Sequence, residues 1–303
     1  MRYFGSNIML MVNNHVVSYT DNGPEDAPII IFIHGFPLNK TMWDSQVNAL
    51  KENYRVISYD IRGHGDSEAG NEEFSIELFV SDLLHLMDAL KIDKASLCGL
   101  SMGGYIALNA IENYPERFEA VVLSDTQCIA DSPETKEKRI KTIKDIQKDG
   151  IEKYAEDCVG IFFVPESLIT KEREVDAVKK MIMKTSLQSL YKTLLALYAR
   201  EATCNKLPEI TIPVLFIVGE EDKITAPEAS ELMHEKIKNS TMHVIEQAGH
   251  LSNLEKPDEF NEQLKTFFAL VYKKHKILHV GGSTSIFSEM RHRLNMLLTF
   301  RLI

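Results

Sequence analysis

Cysteine is scarce in this sequence, and its positions argue against two kinds of cysteine-dependent structure. The chain has four cysteines in 303 residues, and no two form a C-x-x-C pair; they are Cys98, Cys128, Cys158 and Cys204. A zinc site built from cysteine pairs is therefore excluded, and a disulfide framework is not indicated. We expect four free thiols and, with them, the reducing environment of the cytoplasm.

Two other absences narrow the choice of partners. Residues 1–17 contain one arginine, a short apolar run and no small-residue cleavage site, so we expect neither a signal peptide nor a transmembrane helix. Positive charge is in the minority, with 34 Lys and Arg against 44 Asp and Glu and a net charge of −10. Such an acidic chain is a poor fit for nucleic acid or an anionic membrane, so we expect a small-molecule partner.

What the sequence does contain is a regular alternation of strand-like and helix-like segments. Short β-branched and apolar runs occur at 28–33, 55–59, 120–123, 213–218 and 242–245, with helix-periodic segments between several of them. That alternation predicts an α/β fold with a mostly parallel, doubly wound sheet. Near the N-terminus, Asn13 and Asn14 separate two short strand-like runs, which predicts a hairpin.

The alternation stops in one long stretch, residues 127–208, where no convincing strand pattern occurs. Helix-like segments at 136–148, 151–161 and 171–200 fill it instead. The stretch is too long for a simple connection between two strands, and its first part is too polar for the core. It therefore predicts a helical lid inserted above the sheet.

This pattern divides the chain into three parts. Residues 1–126 and 209–272 are expected to form the α/β core, and 127–208 a helical cap. Residues 273–303 form a basic C-terminal tail, with six Lys and Arg residues against one Glu. The tail does not continue the strand and helix pattern of the core, so we expect an accessory role for it.

A G-x-S-x-G motif is formed by Gly99, Ser101 and Gly103. It follows a strand-like run and precedes small helix-forming residues, which is the context of a sharp strand-to-helix turn. Such a turn exposes the serine hydroxyl, and only small residues fit two positions before and after it. The amide of Met102 opens the following helix, where free N–H groups favour a developing oxyanion. The motif therefore predicts that Ser101 is a nucleophile.

An activated serine needs a histidine base, and the histidine needs an acid to orient it. Asp222 closes a Gly-Glu-Glu-Asp segment after one strand-like run, and His250 lies in the loop after the next. Both lie where an open α/β sheet places its sites, at the carboxyl ends of strands. Glu220 and Glu221 adjoin Asp222, and Asp125 ends the preceding strand, so these three carboxylates remain alternative acids.

The order of these motifs resembles that of the α/β-hydrolase fold superfamily. The matching segments are His34-Gly35-Phe36-Pro37, 63–67, 99–104, 219–222 and Gly249-His250. The resemblance extends over nearly all of residues 8–272, and the tail lies outside it. Within the superfamily, the chain is similar to the serine-nucleophile branch that includes 3-oxoadipate enol-lactonases, aryl esterases and cofactor-free haloperoxidases and perhydrolases.

The resemblance implies roles for particular residues. Ser101 would be the nucleophile, Asp222 the acid and His250 the base. The backbone amides of Phe36 and Met102 would form the oxyanion hole, and the helical insertion would be the lid of the family. Neither a cofactor nor a metal ion is implied.

Three aromatic residues are candidates for the substrate pocket. Phe162 and Phe163 lie in the insertion, and Trp43 is the only tryptophan of the chain. Packing inside the lid or the core is the alternative for each of them. If they line the pocket, they favour aryl esters.

Together these observations predict a serine hydrolase that cleaves small soluble carboxylic esters through an acyl-enzyme intermediate. The same residues could open lactones, or support perhydrolysis or the hydrolysis of carbon–carbon bonds. A ligand-binding receptor that has kept a hydrolase fold is an alternative of another class. The complete set of Ser101, Asp222 and His250 weighs against a receptor, since binding alone does not require it.

Overall fold

The fold is built on an eight-stranded sheet. The computed structural model describes residues 4–280, with side chains from 7 to 273. The strands are β1 (Phe4–Val12), β2 (His15–Asn22), β3 (Ile29–Ile33), β4 (Arg55–Tyr59), β5 (Ala95–Leu100), β6 (Phe118–Ser124), β7 (Val214–Gly219) and β8 (Ser240–Ile245). Their order across the sheet is β1-β2-β4-β3-β5-β6-β7-β8. β2 is antiparallel to β1 and β4, and all other neighbouring strands are parallel, so the predicted mostly parallel sheet is confirmed.

The predicted N-terminal hairpin is present. Asn13 and Asn14 join β1 to β2 with φ values of 45° and 63°. Positive φ at both central residues matches the twist of the flanking strands, and asparagine adopts it more readily than most residues. The two asparagines therefore bring β1 alongside β2 at one edge of the sheet.

Helices cover the sheet and bury its central strands. They are α1 (Asp44–Leu50), α2 (Ile76–Ala89), α3 (Met102–Asn113), α4 (Pro133–Phe162), α5 (Pro165–Thr170), α6 (Glu172–Lys184), α7 (Leu187–Ala199), α8 (Pro227–Lys236), α9 (Ser252–Glu255) and α10 (Pro257–Val280). Every residue of β5 and β7 is buried, which explains why these strands are almost entirely apolar. α3 packs on β5 and β6, and α8 packs on β7 and β8.

Four helices, α4 to α7, occupy the chain between β6 and β7. α4 is interrupted at Gly150, whose φ of 88° suits glycine but not a helix, and the two predicted segments lie on either side of it. The predicted helical stretch 171–200 is divided into two helices, because α6 ends at Lys184 and α7 begins at Leu187. The Ser186 hydroxyl accepts a hydrogen bond from the amide of Ser189, and this N-cap starts α7 as a separate helix.

The prediction of four free thiols is wrong. Cys128 and Cys204 form a disulfide, whereas Cys98 and Cys158 are free and buried. The bonded cysteines are 76 residues apart and lie at the two ends of the helical insertion, so they tie its entry to its exit. Spacing could not indicate this pair, because the two cysteines meet only through the neighbouring strands β6 and β7. Disulfides are rare in the cytoplasm, so the cysteines no longer support a cytoplasmic location.

The internal contacts of the chain define two units, Met1–Leu264 and Lys265–Ile303. The described part of the second unit is the helical continuation of α10 to Val280. Residues 281–303, which are most of the predicted basic tail, lie outside the described residues. The sequence-based boundaries between core, cap and tail stay a prediction. Over residues 4–280, every helix is either too short or too polar to cross a bilayer.

Candidate active site

The serine motif forms a sharp turn between β5 and α3. Ser101 has a φ of 55°, which is strained for a residue with a side chain. A Cβ on Gly99 would lie 2.3 Å from the carbonyl oxygen of Gly103, and one on Gly103 would lie 2.1 Å from that of Ile33. Both positions therefore require glycine because another backbone segment lies too close for a side chain, as the G-x-S-x-G motif predicts. The turn presents Ser101 to a cavity that it lines.

The turn after β6 supports the strained serine. The Ser101 amide donates a hydrogen bond of 3.0 Å to the carbonyl oxygen of Ser124. Thr126 Oγ1 donates one of 2.8 Å to the carbonyl oxygen of Ser101. Met102 is the first residue of α3, so its amide belongs to a helical turn whose N–H groups have no acceptor within the helix.

His250 and Asp222 form a buried hydrogen-bonded pair. His250 Nδ1 lies 2.8 Å from Asp222 Oδ2, and the two side chains are 2% and 0% exposed. Thr225 Oγ1 donates a hydrogen bond of 2.7 Å to the same carboxylate oxygen. The amides of Ile224 and Thr225 donate to Asp222 Oδ1. The carboxylate is thus fixed by its own loop, and it orients an imidazole that lines the cavity.

In this pair, each side chain stabilises the charged form of the other. Burial alone would raise the pKa of Asp222, but the charge of His250 and the hydrogen bonds to the carboxylate outweigh it, so the pKa lies below its ordinary value. Burial alone would lower the pKa of His250, but the charge and hydrogen bond of Asp222 outweigh it, so the pKa lies above 6.5. Asp222 is therefore ionised near neutral pH and stabilises positive charge on the His250 ring.

The alternative acid Asp125 lies close to this pair but bonds to other groups. The hydroxyls of Ser124 and Ser252 each donate a hydrogen bond of 2.6 Å to its Oδ2. The amide of Gly219 donates one of 2.9 Å to its Oδ1. Burial and the charge of Asp222 raise the pKa of Asp125 to about 7. Asp125 thus joins the ends of β6 and β7 to the start of α9.

The other alternative acids, Glu220 and Glu221, are exposed. Glu220 accepts a hydrogen bond of 3.2 Å from the amide of Gln247. Among the described side chains, His250 Nδ1 has Asp222 as its partner at 2.8 Å and the Thr225 hydroxyl at 3.5 Å. The geometry therefore favours Asp222 as the acid that orients the imidazole.

Glu255, which the sequence analysis did not single out, supports the loop that carries His250. Its Oε1 accepts a hydrogen bond of 2.7 Å from the amide of Gly249, and its Oε2 accepts one of 3.0 Å from the amide of Val164. The amide of His250 also donates a 2.9 Å hydrogen bond to the carbonyl oxygen of Phe162. The histidine loop is thus bonded to the end of α4. No sequence signal could have found Glu255, since Val164 is 91 residues away in the chain.

Phe36 and Met102, the predicted oxyanion residues, line the same cavity as Ser101. His34 braces the turn that contains Phe36. Its Nε2 accepts a 2.9 Å hydrogen bond from the amide of Ile61, so Nδ1 carries the proton and donates to the carbonyl oxygen of Gly35 at 2.9 Å. Burial lowers the pKa of His34, which keeps the ring in this neutral form.

The cavity beside Ser101 and His250 has a volume of about 290 Å³. Side chains before, within and after the helical insertion line it together; they are Phe36, Ser101, Met102, Tyr105, Thr135, Lys138, Arg139, Thr142, Tyr154, Cys158, Ile161, Phe162, Leu194, Leu197, Ile224 and His250. Phe162, one of the three aromatic candidates, is among them. Its ring centre lies 5.6 Å from that of His250.

Trp43 and Phe163 lie elsewhere, which corrects the expectation that they line the pocket. Trp43 is fully buried in the core, with its ring centre 4.8 Å from that of Phe32. Phe163 is also buried, and its extended backbone follows Phe162 at the end of α4. Neighbouring residues at such a helix end face different directions, so Phe162 and Phe163 do not share the cavity. Neither Trp43 nor Phe163 is among the described residues that line it.

Comparisons with known proteins agree with this architecture. The profile of the alpha/beta hydrolase fold family matches residues 28–160 and 180–257. The chain is 32% identical over 265 residues to 3-oxoadipate enol-lactonase 1 of Acinetobacter baylyi, an alignment that covers 83% of this chain and 93% of that protein.

Two solved structures extend the similarity to three dimensions. A thermophilic esterase from Thermogutta terrifontis is 28% identical with a TM-score of 0.83, covering 88% of this chain and 99% of that one. The enol-lactonase from Burkholderia xenovorans LB400 is 28% identical with a TM-score of 0.81, covering 86% of this chain and 100% of that one. The chain belongs to the alpha/beta hydrolase fold family, and it is a hydrolase. The fold and family predicted from the sequence are thereby confirmed.

Proposed function

We propose that the chain hydrolyses small soluble carboxylic esters with Ser101 as the nucleophile. The observation that carries this proposal is the buried hydrogen bond of 2.8 Å between Asp222 and His250, beside a cavity that Ser101 also lines. A serine, a histidine and an acid in this arrangement perform acyl transfer on several unrelated folds. The esterase and the enol-lactonase among the structural relatives support the same chemistry.

In the proposed reaction, His250 takes the hydroxyl proton as Ser101 Oγ attacks the acyl carbon. The amides of Phe36 and Met102 stabilise the oxyanion, and His250 then gives its proton to the departing alcohol. This leaves an acyl-enzyme, which a water molecule attacks while His250 takes the water proton. The carboxylic acid leaves and Ser101 regains its proton. Asp222 stabilises the imidazolium form in both halves, consistent with the raised pKa of His250.

The cavity favours small substrates. Its volume of about 290 Å³ is at the lower end of the range for ligand pockets, and Ile161, Leu194 and Leu197 of the helical insertion line it. Lactones are the second candidate class, because two 3-oxoadipate enol-lactonases of Acinetobacter baylyi are among the relatives. A lactone presents the same carbonyl to Ser101, and its leaving alcohol stays attached to the acyl group.

The test compares wild type with Ser101→Ala on 4-nitrophenyl butyrate and on a small γ-lactone. We expect Ser101→Ala to lose at least about 10³-fold in kcat/KM while thermal unfolding is unchanged. Ser81→Ala is the matched control, because Ser81 lies on α2 and is not among the described residues of the cavity.

Covalent labelling identifies the nucleophile directly. A fluorophosphonate should label wild type at Ser101, as read by mass spectrometry of the peptide, and should not label Ser101→Ala. Turnover retained by Ser101→Ala would refute the proposal. Saturable ester binding by wild type with no turnover would favour the receptor alternative.

A further inference from the structure

A second cavity adjoins the one that Ser101 lines. Its volume is about 380 Å³, and residues of α2, of α3 and of the segment 200–206 that follows α7 line it. Tyr105 lines both cavities. Ser101 and His250 are not among the described residues that line the second one. The second cavity is therefore outside the site proposed for ester hydrolysis, and the reaction proposed for Ser101 does not use it.

Two buried polar atoms at this second cavity lack a hydrogen-bond partner. Among the described residues, nothing bonds to Arg200 Nε, which is a donor, or to Glu112 Oε1, which is an acceptor. Both residues line the cavity, and Arg200 is only 6% exposed. A buried polar group without a partner is costly, and folded proteins rarely keep one without a reason. A ligand that supplies one acceptor and one donor would complete both groups.

The wall that carries Arg200 is fixed in place by the first residues of the helical insertion. Arg200 Nη2 donates a hydrogen bond of 2.6 Å to the carbonyl oxygen of Ile129. The amide of Thr203 donates one of 2.8 Å to the carbonyl oxygen of Cys128, which also forms the disulfide with Cys204. The position of the unpaired Nε is thus set before a ligand binds, which lowers the entropic cost of binding.

Charges of both signs face the second cavity. Its described lining contains three carboxylates and two cations, which belong to Glu77, Glu112, Glu201, Arg200 and Lys206. Burial raises the pKa of Glu112 to about 7, and the charge of Lys206 opposes that rise. A positive group bonded to Glu112 would keep this carboxyl ionised. A lone anion or a lone cation would meet repulsion as well as attraction here, so the lining favours a molecule with one charge of each sign.

The spacing of the two unpaired groups suits a short molecule. The guanidinium of Arg200 lies 3.9 Å from the ring centre of Tyr105. Glu112 follows Tyr105 by two turns of α3, which is about 10 Å along the helix. Two hydrogen bonds of about 2.9 Å each cover more than half of that distance. The remainder is a few ångströms, which matches the separation of ammonium and carboxylate in an α-amino acid.

We propose that the second cavity binds a small zwitterionic α-amino acid, with its ammonium group on Glu112 and its carboxylate on Arg200. The ring of Tyr105 and the side chains of Ile76 and Ala202 line the same space and favour a short apolar side chain. The volume of about 380 Å³ admits an amino acid of the size of valine. This site is separate from the proposed ester hydrolysis and does not depend on it.

The experiment measures equilibrium binding to the full chain by isothermal titration calorimetry. The probes are L-valine, L-valinamide, which keeps only the positive charge, and N-acetyl-L-valine, which keeps only the negative charge. We expect L-valine to bind saturably at one site. The dissociation constants of the two single-charge probes should be at least about 10-fold higher, because each probe loses one charge-assisted hydrogen bond.

Glu112→Gln tests the position of the site. The amide keeps the shape of the side chain but removes the charge that the ammonium group needs, so the dissociation constant of L-valine should rise by at least about 10-fold. Glu116→Gln is the matched control, because Glu116 is exposed and is not among the described residues of the second cavity, and its exchange alters the net charge equally. We expect Glu116→Gln to bind L-valine as wild type does. Thermal unfolding of each variant verifies that the fold is retained.

Every other outcome overturns the proposal. If wild type binds none of the three probes, the second cavity holds water alone. If a single-charge probe binds as tightly as L-valine, the two charges do not act together. An unchanged affinity in Glu112→Gln, or an equal loss in Glu116→Gln, places the ligand elsewhere. Binding is measured without turnover, so a failure of Ser101→Ala to lose ester hydrolysis would refute the proposed function and leave this inference standing.

Discussion

Two buried aspartates lie at the ends of neighbouring strands, Asp222 after β7 and Asp125 after β6. Comparing them shows that the groups around a buried carboxyl decide whether it is charged. The pKa of Asp222 lies below its ordinary value, whereas that of Asp125 is raised to about 7. Burial acts in the same direction on both. The difference is that Asp222 meets the imidazole of His250 in addition to a hydroxyl and two amides. Asp125 meets two hydroxyls and an amide, and it also faces the negative charge of Asp222.

This difference separates what the two acids can do. A carboxylate that stays ionised can orient His250 and stabilise its positive charge, which general base catalysis requires. Asp125 instead bonds to Gly219, three positions before Asp222, and to Ser252, two positions after His250. We therefore interpret Asp125 as a positioning residue that acts through the loops of the acid and the base.

Exchange of each acid for its amide should separate these roles most strongly. Asp222→Asn removes the partner that holds His250 in its productive tautomer, and we expect kcat to fall about 10⁴-fold. Asp125→Asn keeps the shape and can still accept a hydrogen bond from Gly219, so we expect a loss below about 10-fold. The measurement is kcat on 4-nitrophenyl butyrate, with thermal unfolding as the check on folding. A larger loss in Asp125→Asn would move the acid to the end of β6.

The pH dependence of kcat/KM should also report the charge of Asp125 near His250, with a smaller effect than the exchange of Asp222. His250 must be neutral to act as a base. Burial alone would lower its pKa, but the negative charges of Asp222 and Asp125 outweigh burial, so the pKa lies above 6.5. We therefore expect kcat/KM of wild type to rise with pH through an inflection above 6.5. Asp125→Asn removes one negative charge near the ring, so the inflection should move to lower pH, by about half a unit. An inflection that stays in place or moves upward would contradict the electrostatic role of Asp125.

Part of the site could be predicted because its signals are local. The glycines around Ser101 lie where two backbone segments approach closely. The G-x-S-x-G motif therefore directly reports the turn that requires it. Asp222 and His250 follow strands, and the carboxyl ends of parallel strands share one edge of the sheet. The alternation of elements was sufficient to predict that sheet.

The remaining features depend on contacts between distant residues. Cys128 and Cys204 are 76 positions apart in the sequence, and they meet because the chain leaves the sheet into the helical insertion and comes back to it. Glu255 has no motif because it bonds backbone amides, which every sequence supplies. Trp43 illustrates a different limit, since a core and a pocket select the same large apolar side chain. Only the packing against Phe32 decides between them.

The two aspartates should also differ in how the free energy of unfolding depends on pH. The two carboxyls should change stability in opposite directions as pH rises, and we expect this to be the smallest of the predicted effects. The pKa of Asp125 is about 7 in the folded protein against an ordinary value of 3.8. Between those values the folded protein keeps a proton that the unfolded chain has released. Stability therefore falls as pH rises through this window, and the cost is complete above it. The pKa of Asp222 is lowered, so its contribution is present above 3.8 and is lost as pH falls through the folded value.

The amide variants should therefore differ from wild type in opposite ways. Relative to wild type, the Tm of Asp125→Asn should rise by several degrees from about pH 4 to about pH 8, because the amide has no proton to lose in this window. Asp222→Asn should be less stable than wild type near neutral pH, and its deficit should shrink as the solution is acidified. Thermal unfolding followed by circular dichroism measures both differences. A relative Tm of Asp125→Asn that stays flat over this range would mean that the Asp125 carboxyl does not titrate near neutrality, and position alone would then distinguish the two acids.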